Sequence, residues 1–200
     1  MKKAALIVFL VLLVDQILKI YIKTHFFLGE EIHVMGNWFI IHFTENPGMA
    51  FGYELGFSWG KLALSLFRIG AIIALGFYIA HIVKRKSPLG FVLSISLIMA
   101  GALGNMIDSA FYGMIFSQSM FHEMATAFPE AGGYASFLHG EVVDMFYFPI
   151  FSFTWPEWMP WIGGQLFTFF QPVFNVADAS ITVGVALILL FQRRFFKKEE

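Results

Sequence analysis

The chain has 200 residues, of which 58% are hydrophobic and 14% charged, with a mean hydropathy of +0.71. Soluble domains carry nearly half apolar and about a quarter charged residues, so this is the composition of a membrane protein, and the length suits one domain, 1–200. A formal net charge of −1 suggests no nucleic-acid partner, and the absence of cysteine excludes disulfides, thiolate nucleophiles and cysteine-based metal sites.

In chain order, the opening MKKAALIVFLVLLVDQILKIYIK starts like a signal peptide, with Lys2 and Lys3 ahead of an apolar run. No small-residue cleavage site follows and the run continues to about Ile22, so it reads as a retained first helix over 4–22. Inside it, Asp15 and Lys19 form an i,i+4 pair. Two readings stand side by side: mutual neutralisation with Lys19 snorkelling outward, or a substrate-facing role. Residues 23–61 contain FTENPGMAFGYELGF, where Asn46, Pro47 and Gly48 make a turn between aromatic, strand-like flanks.

The second apolar run covers 62–83 and holds Arg68 roughly two turns inside it, placed to snorkel or to meet a lipid or substrate carbonyl. Lys61 and Ser65 have the spacing of a Ser–Lys dyad, a spacing that recurs often by chance. The third run, 89–111, ends in GALGNMIDS. Residues 112–176 contain no Lys or Arg; 113–140 read as a flexible insertion, and EVVDMFYFPIFSFTWPEWMPWIGGQLFTFF suits a surface at headgroup level. FNVADAS opens the fourth run, 177–192.

Each run approaches the roughly 20 residues that a spanning helix needs, the last being short enough to begin near the interface. If all four cross, Lys2, Lys3, Lys84, Arg85, Lys86, Arg193, Arg194, Lys197 and Lys198 share one side. The positive-inside rule makes that side cytoplasmic. The expected fold is therefore a mainly α membrane protein of four transmembrane helices with both termini cytoplasmic. The loops 23–61 and 112–176 form an extracytoplasmic β-rich, aromatic region.

This layout gathers polar residues at one depth. A rise of ~1.5 Å per residue puts Asp108 ~28 Å along the third helix and Asp178 ~22 Å from Arg193, both near the outer interface. Asn46 and Asp144 lie in the outer loops, so Asn46, Asn105, Asp108, Asp144, Asn175 and Asp178 are candidates for one layer. Capping explains part of it, since Asn175 and Asp178 spell a capping box at a helix start. It does not explain Asn105 and Asp108, whose carboxylate opposes the dipole at a helix end. Interfacial acids are functional candidates by default.

The chemistry open to such a layer is narrow. The histidines 25, 33, 42, 81, 122 and 139 lack ligand spacing, so neither a metal nor another cofactor is implied. Two neighbouring carboxyls can share one proton: the ionised one draws a proton from water, and the protonated one donates to a substrate carbonyl. That is aspartic peptide-bond hydrolysis, with three aspartates available for two places. A proton-coupled transporter would spread its acids through the membrane depth, and here they gather at one face apart from Asp15. A non-catalytic scaffold would leave Asp144 and Asp178 unexplained.

Taken together, ENPGMAFG, GALGNMIDS, GEVVDMF and FNVADASITVG, in this order, resemble the bacterial lipoprotein signal peptidase (signal peptidase II) family, as does VDQILK in the first run. The resemblance implies an aspartic endopeptidase of the bacterial cytoplasmic (inner) membrane. It would act on prolipoproteins that carry a diacylglyceryl-cysteine and cut just before that cysteine. Carried over by motif, Asp144 and Asp178 are the catalytic pair. Asn46, Asn105, Asp108, Asn175 and Ala177, with Asp15 and Lys19, match supporting or substrate-binding positions. Gly48 and Gly104 fit close backbone approach or packing. Membrane lipid is the expected surrounding, and a monomer suffices. Two departures stand out: Ser109 occupies a place where the family usually has Arg, and 35 residues separate Asp108 from Asp144.

Overall fold

The computed structural model describes residues 1–47 and 60–196. Gly48, most of the ENPGMAFG block, Lys197 and Lys198 lie outside the described residues. The run of Leu, Ile, Val and Ala from the N-terminus contains no Pro or Gly and forms one helix, α1 (Lys2–His25), ending where Phe26 turns extended. Its inward stripe is Ala4, Asp15, Lys19, Ile22 and Lys23, and most of its other faces are exposed apolar side chains. A hairpin follows, β1 (Glu31–Met35) and β2 (Phe39–Asn46), with Gly36 in the left-handed region of its turn.

Helices α2 (Gly60–Lys84) and α3 (Leu89–Ile107) come next, α3 starting directly after Pro88. The helix does not stop at Asp108. A π-helical turn, Asp108–Tyr112, carries it into the short α4 (Gly113–Ile115). Then come β3 (Val142–Tyr147), β4 (Phe151–Thr154), β5 (Leu166–Phe169), β6 (Val173–Phe174), α5 (Val176–Leu190) and α6 (Gln192–Phe195).

Among the described residues, α1, α2 and the continuous stretch Leu89–Ile115 are long and apolar enough to cross a membrane. Helix α5 has 15 residues, about 22 Å at the α-helical rise, against a hydrocarbon core of about 30 Å. Its path continues into α6 after a break at Phe191.

Helix α3 is the hub, with α1, α2 and α5 packed around it. The α3–α5 contact is close because small residues face each other. A Cβ on Gly101 would lie 2.1 Å from the Ala177 carbonyl oxygen, and one on Gly184 would lie 2.7 Å from that of Ser94. The Ser180 hydroxyl adds a 2.6 Å bond to the Leu97 carbonyl. Such small-residue contacts are how helices approach one another in lipid, where apolar burial drives little association.

Above the helices sits an antiparallel sheet in the order β1-β2-β3-β6. Thr44 pairs with Asp144 across β2 and β3. Ile22, Phe26, Phe43, Tyr112, Phe116, Val143 and Met145 form one core that clamps this sheet onto α1 and the π-helical turn. Strands β4 and β5 make a separate two-stranded sheet.

The expectation of a flexible insertion over 113–140 is corrected. Its backbone is laced to the helix end: Gly140 N–H donates to Ser109 (2.9 Å), Leu138 N–H to Ala110 (3.3 Å) and Ala135 N–H to Gly113 (2.8 Å). A helix end leaves carbonyls without intrahelical partners, and the returning chain satisfies them. Phe116, Ala125 and Leu138 are buried in the process.

Candidate active site

Helix α1 supplies the floor of the polar layer. Asp15 and Lys19 pair at 3.0 Å, as their i,i+4 spacing suggests, but Lys19 does not snorkel outward. It is fully buried, with Nζ 2.7 Å from Asp108 Oδ2 and 2.9 Å from Asn105 Oδ1. The other Asp15 oxygen accepts from the Ala177 N–H at 2.9 Å, tying α1 to the first turn of α5. Gly104 permits this crossing, since a Cβ there would stand 2.7 Å from Asp15 Oδ2 and 3.0 Å from the Ala177 Cβ.

Two copies of Asn-x-x-Asp meet above this floor, and they cross over. Asn175 caps α5, its Oδ1 accepting from the Asp178 N–H at 2.9 Å, while its own N–H reaches Asp178 Oδ2 at 3.4 Å. The capping box read from the sequence is therefore present. The amide nitrogen of the same Asn175 donates to Asp144 Oδ1 at 2.6 Å and to Asn105 Oδ1 at 3.1 Å. Asn105 in turn donates to Asp178 Oδ1 at 2.8 Å. Each asparagine thus serves an aspartate outside its own motif from its NH2 group. Asn46, at the end of β2, donates to the remaining oxygen of Asp144.

All of the polar residues expected in one layer are joined in this network, and Ala177 contributes backbone. Asp108 faces Lys19, and its Oδ2 also accepts the Val143 N–H at 3.4 Å, so it holds β3 against α3. Asp144 is almost fully buried. Burial, reinforced by the nearby Asp178 carboxylate, pushes the Asp144 carboxyl up to about 8, against the opposing pull of the Asn175 bond.

Arg68 also reaches this region. One of its guanidinium nitrogens lies 3.5 Å from the Ser109 hydroxyl, and its charge is felt by Asp178 and Asp108. Ser109 itself bonds back to the Asn105 carbonyl at 3.1 Å. A guanidinium from α2 thus stands beside Ser109. The buried Ser65 hydroxyl donates to the Leu138 carbonyl at 3.1 Å.

Sequence reasoning passed over five participants. Gln16 donates to Asp15 (3.1 Å) and Asp108 (3.0 Å) and accepts from the Tyr112 hydroxyl (3.1 Å). Lys23 is fully buried against Glu45 and the Ser119 hydroxyl. Burial raises the Glu45 carboxyl above its ordinary range, with Lys23 opposing the shift. The signal for Lys23 was available, because Asp15, Lys19 and Lys23 recur every four residues along one helix face.

The architecture is that of a membrane enzyme. A solved bacterial membrane enzyme superposes over 100% of this chain and 94% of its own, with a TM-score of 0.66 and 28% identity. A family model described as signal peptidase (SPase) II matches residues 7–194. A lipoprotein signal peptidase of Porphyromonas gingivalis is 52% identical over 193 residues, 94% of this chain and 82% of that protein. One from Amoebophilus asiaticus is 38% identical over 190 residues, 94% of this chain and 76% of that protein. The chain belongs to the signal peptidase II family of peptidases.

Proposed function

We propose that this protein is an aspartic endopeptidase that removes the signal peptide from diacylglyceryl-modified prolipoproteins, cutting before the lipidated cysteine, with Asp144 and Asp178 as its dyad. The observation that carries the reading is the crossed amide network, in which Asn175 holds Asp144 while Asn105 holds Asp178, and the two asparagines bond each other. Nothing in helix capping requires the second half of that arrangement.

At neutral pH Asp144 keeps its proton and Asp178 acts as the base. Water attacks the scissile carbonyl carbon and gives a proton to Asp178, while Asp144 passes its proton to the carbonyl oxygen. The tetrahedral diol then collapses. The peptide C–N bond breaks, the nitrogen leaves with the proton held on Asp178, and a diol proton returns to Asp144. Lys19, Asp15 and Asp108 support the layer without touching the reacting atoms, and Asn46, Asn105 and Asn175 orient the two carboxyls. No cofactor enters these steps.

The same reading makes residues 1–200 a single integral-membrane domain with four crossings, α5 and α6 completing the fourth. The termini are cytoplasmic, and the active site faces the extracytoplasmic side of a bacterial inner membrane. Lys84, Arg85, Lys86, Arg193 and Arg194 lie at the helix ends opposite Asp108 and Asp178. A site at that level meets its substrate where lipid holds it, since acyl chains anchor at ~0.8 kcal/mol per buried CH2. A monomer suffices, because both carboxyls come from one chain.

The test is cleavage of a diacylglyceryl-modified prolipoprotein in native lipid by wild type, Asp144→Asn and Asp178→Asn. Wild type cleaves and both variants, correctly folded, do not. Full activity in either variant removes that residue from the dyad, and an inactive wild type removes the reading itself.

A further inference from the structure

The two-stranded sheet β4–β5 has two unlike faces. Phe151 pairs with Phe169 and Phe153 with Phe167, so by the period of two these rings share one side, and Trp155 continues the row. Their centroids lie 5.0 Å apart for Phe151–Phe169, 5.2 Å for Phe153–Phe167 and 4.7 Å for Phe153–Trp155. The opposite face carries Ser152 and Thr168, whose hydroxyls meet at 3.0 Å, and the pair Thr154 and Leu166.

Among the described residues, none of these five rings stacks on the Phe39–Phe148–Phe174 cluster of the larger sheet. Phe151, Phe153 and Phe169 remain exposed. An isolated two-stranded hairpin is marginal in water, and one with an uncovered aromatic face needs an apolar partner.

The tip adds a second, independent feature. Trp161 is 94% exposed and Trp158 80% exposed. Trp161 also has φ of +67°, a left-handed backbone that is uncommon for a bulky residue. Such a conformation persists where the surroundings or a function hold it. The Trp161 indole stands exposed rather than packed.

Charge and position name the partner. From Met145 to Ala177 the only charged residue is Glu157, so an acidic or basic protein or an anionic headgroup finds no complement. Trp with Phe, Ser, Thr and Pro is the mixture that settles at a bilayer's water interface. The exposed surface is also continuous with the rest of the molecule. An open cleft lined by Asn37, Trp38, Pro149, Ile150, Phe151 and Ser152 joins the hairpin root to the β1–β2 turn.

We infer that the β4–β5 hairpin is a membrane-interface anchor: its Phe face and the Trp158/Trp161 tip insert among the lipids of the leaflet beside the active site, and Ser152, Thr154 and Thr168 face water. The contact is apolar, so it requires no anionic lipid and does not weaken with salt. The inference rests on the chain being embedded in a membrane and not on the aspartate dyad.

The absence of cysteine permits a clean test. Phe153→Cys and Thr154→Cys are each labelled with a nitroxide in the full chain, reconstituted in phosphatidylcholine nanodiscs, and read by collision with oxygen and with a water-soluble nickel chelate. The oxygen-to-nickel ratio is expected to be several-fold higher at 153 than at 154. Equal access to nickel at both positions overturns the inference by leaving the face solvated. Protection of 153 from both colliders overturns it in favour of a protein partner such as a second copy. Without any label, acyl-chain-brominated phosphatidylcholine is expected to quench the wild-type tryptophan emission by a larger fraction than that of Trp158→Phe/Trp161→Phe, and identical quenching overturns the insertion of the tip.

Discussion

Replacing Lys19 with Met deletes a cation that is fully buried and has three partners: Asp15 at 3.0 Å, Asp108 at 2.7 Å and Asn105 at 2.9 Å. The stem is retained, so the loss is of charge and hydrogen bonds and not of packing. Two buried carboxylates then face one another without the ammonium between them, and breaking a buried pair in this way costs about 3–5 kcal/mol. For a protein of this size that corresponds to a fall in Tm of roughly 6–20 °C. Asp108→Asn alone leaves Lys19 paired with Asp15 and costs less, about 1–3 kcal/mol. In the double variant the remaining Asp15 has no carboxylate competitor. Its loss is therefore smaller than the sum of the singles by about 0.5–3 kcal/mol. Thermal unfolding in detergent, followed by tryptophan fluorescence for all four proteins, closes the cycle. Additive losses, or a Lys19→Met protein as stable as wild type, would refute the idea that Lys19 is the counter-ion at the base of the site.

The remaining predictions concern activity. If Asp144 must be protonated, kcat/KM has an alkaline limb near pH 8: the raised carboxyl holds its proton below that value and loses it above, so activity falls as pH rises through it. A profile flat from pH 7 to about 10 contradicts that assignment of the proton. Gly104→Ala places a methyl 2.7 Å from Asp15 Oδ2 and is expected to cost about 1–3 kcal/mol and to lower kcat, because α5 must shift away from Asn105; unchanged stability and rate would show that the crossing is looser than described. Arg68→Gln should lower kcat/KM about tenfold, the worth of a charged hydrogen bond near 1.5 kcal/mol. Arg68→Gln/Ser109→Arg should recover part of that loss, since the guanidinium now sits 3.5 Å from Ser109, and no recovery would separate the two positions.

Much of this molecule could be read from its sequence because apolar runs and motif order are local signals. The three long helices fall within a few residues of the runs over 4–22, 62–83 and 89–111. Asn175 and Asp178 were legible as a capping box because four consecutive residues settle that geometry. What could not be read depends on contacts distant in sequence. The crossover of Asn105 and Asn175 requires α3 and α5 to pack through Gly101 and Gly184, and no short window contains both. The inward turn of Lys19 follows from Asp108, 89 positions away, outbidding the interface for its charge. The π-helical turn has no composition of its own; it hands Asp108 to Lys19 while leaving the Ser109 and Ala110 carbonyls for the returning chain. The 113–140 segment looked flexible for that reason, its small and polar residues being tied down by backbone bonds that side-chain patterning does not register.

The central claim is that Asp144 and Asp178 work as one unit. Single-turnover cleavage of a diacylglyceryl-modified prolipoprotein by Asp144→Asn, Asp178→Asn and the double variant tests it most directly. A proton-sharing pair predicts that each single variant loses as much rate as the double, because neither carboxyl functions without the other. If one single variant keeps substantial rate, or the losses multiply in the double, the two residues act independently and the dyad is wrong.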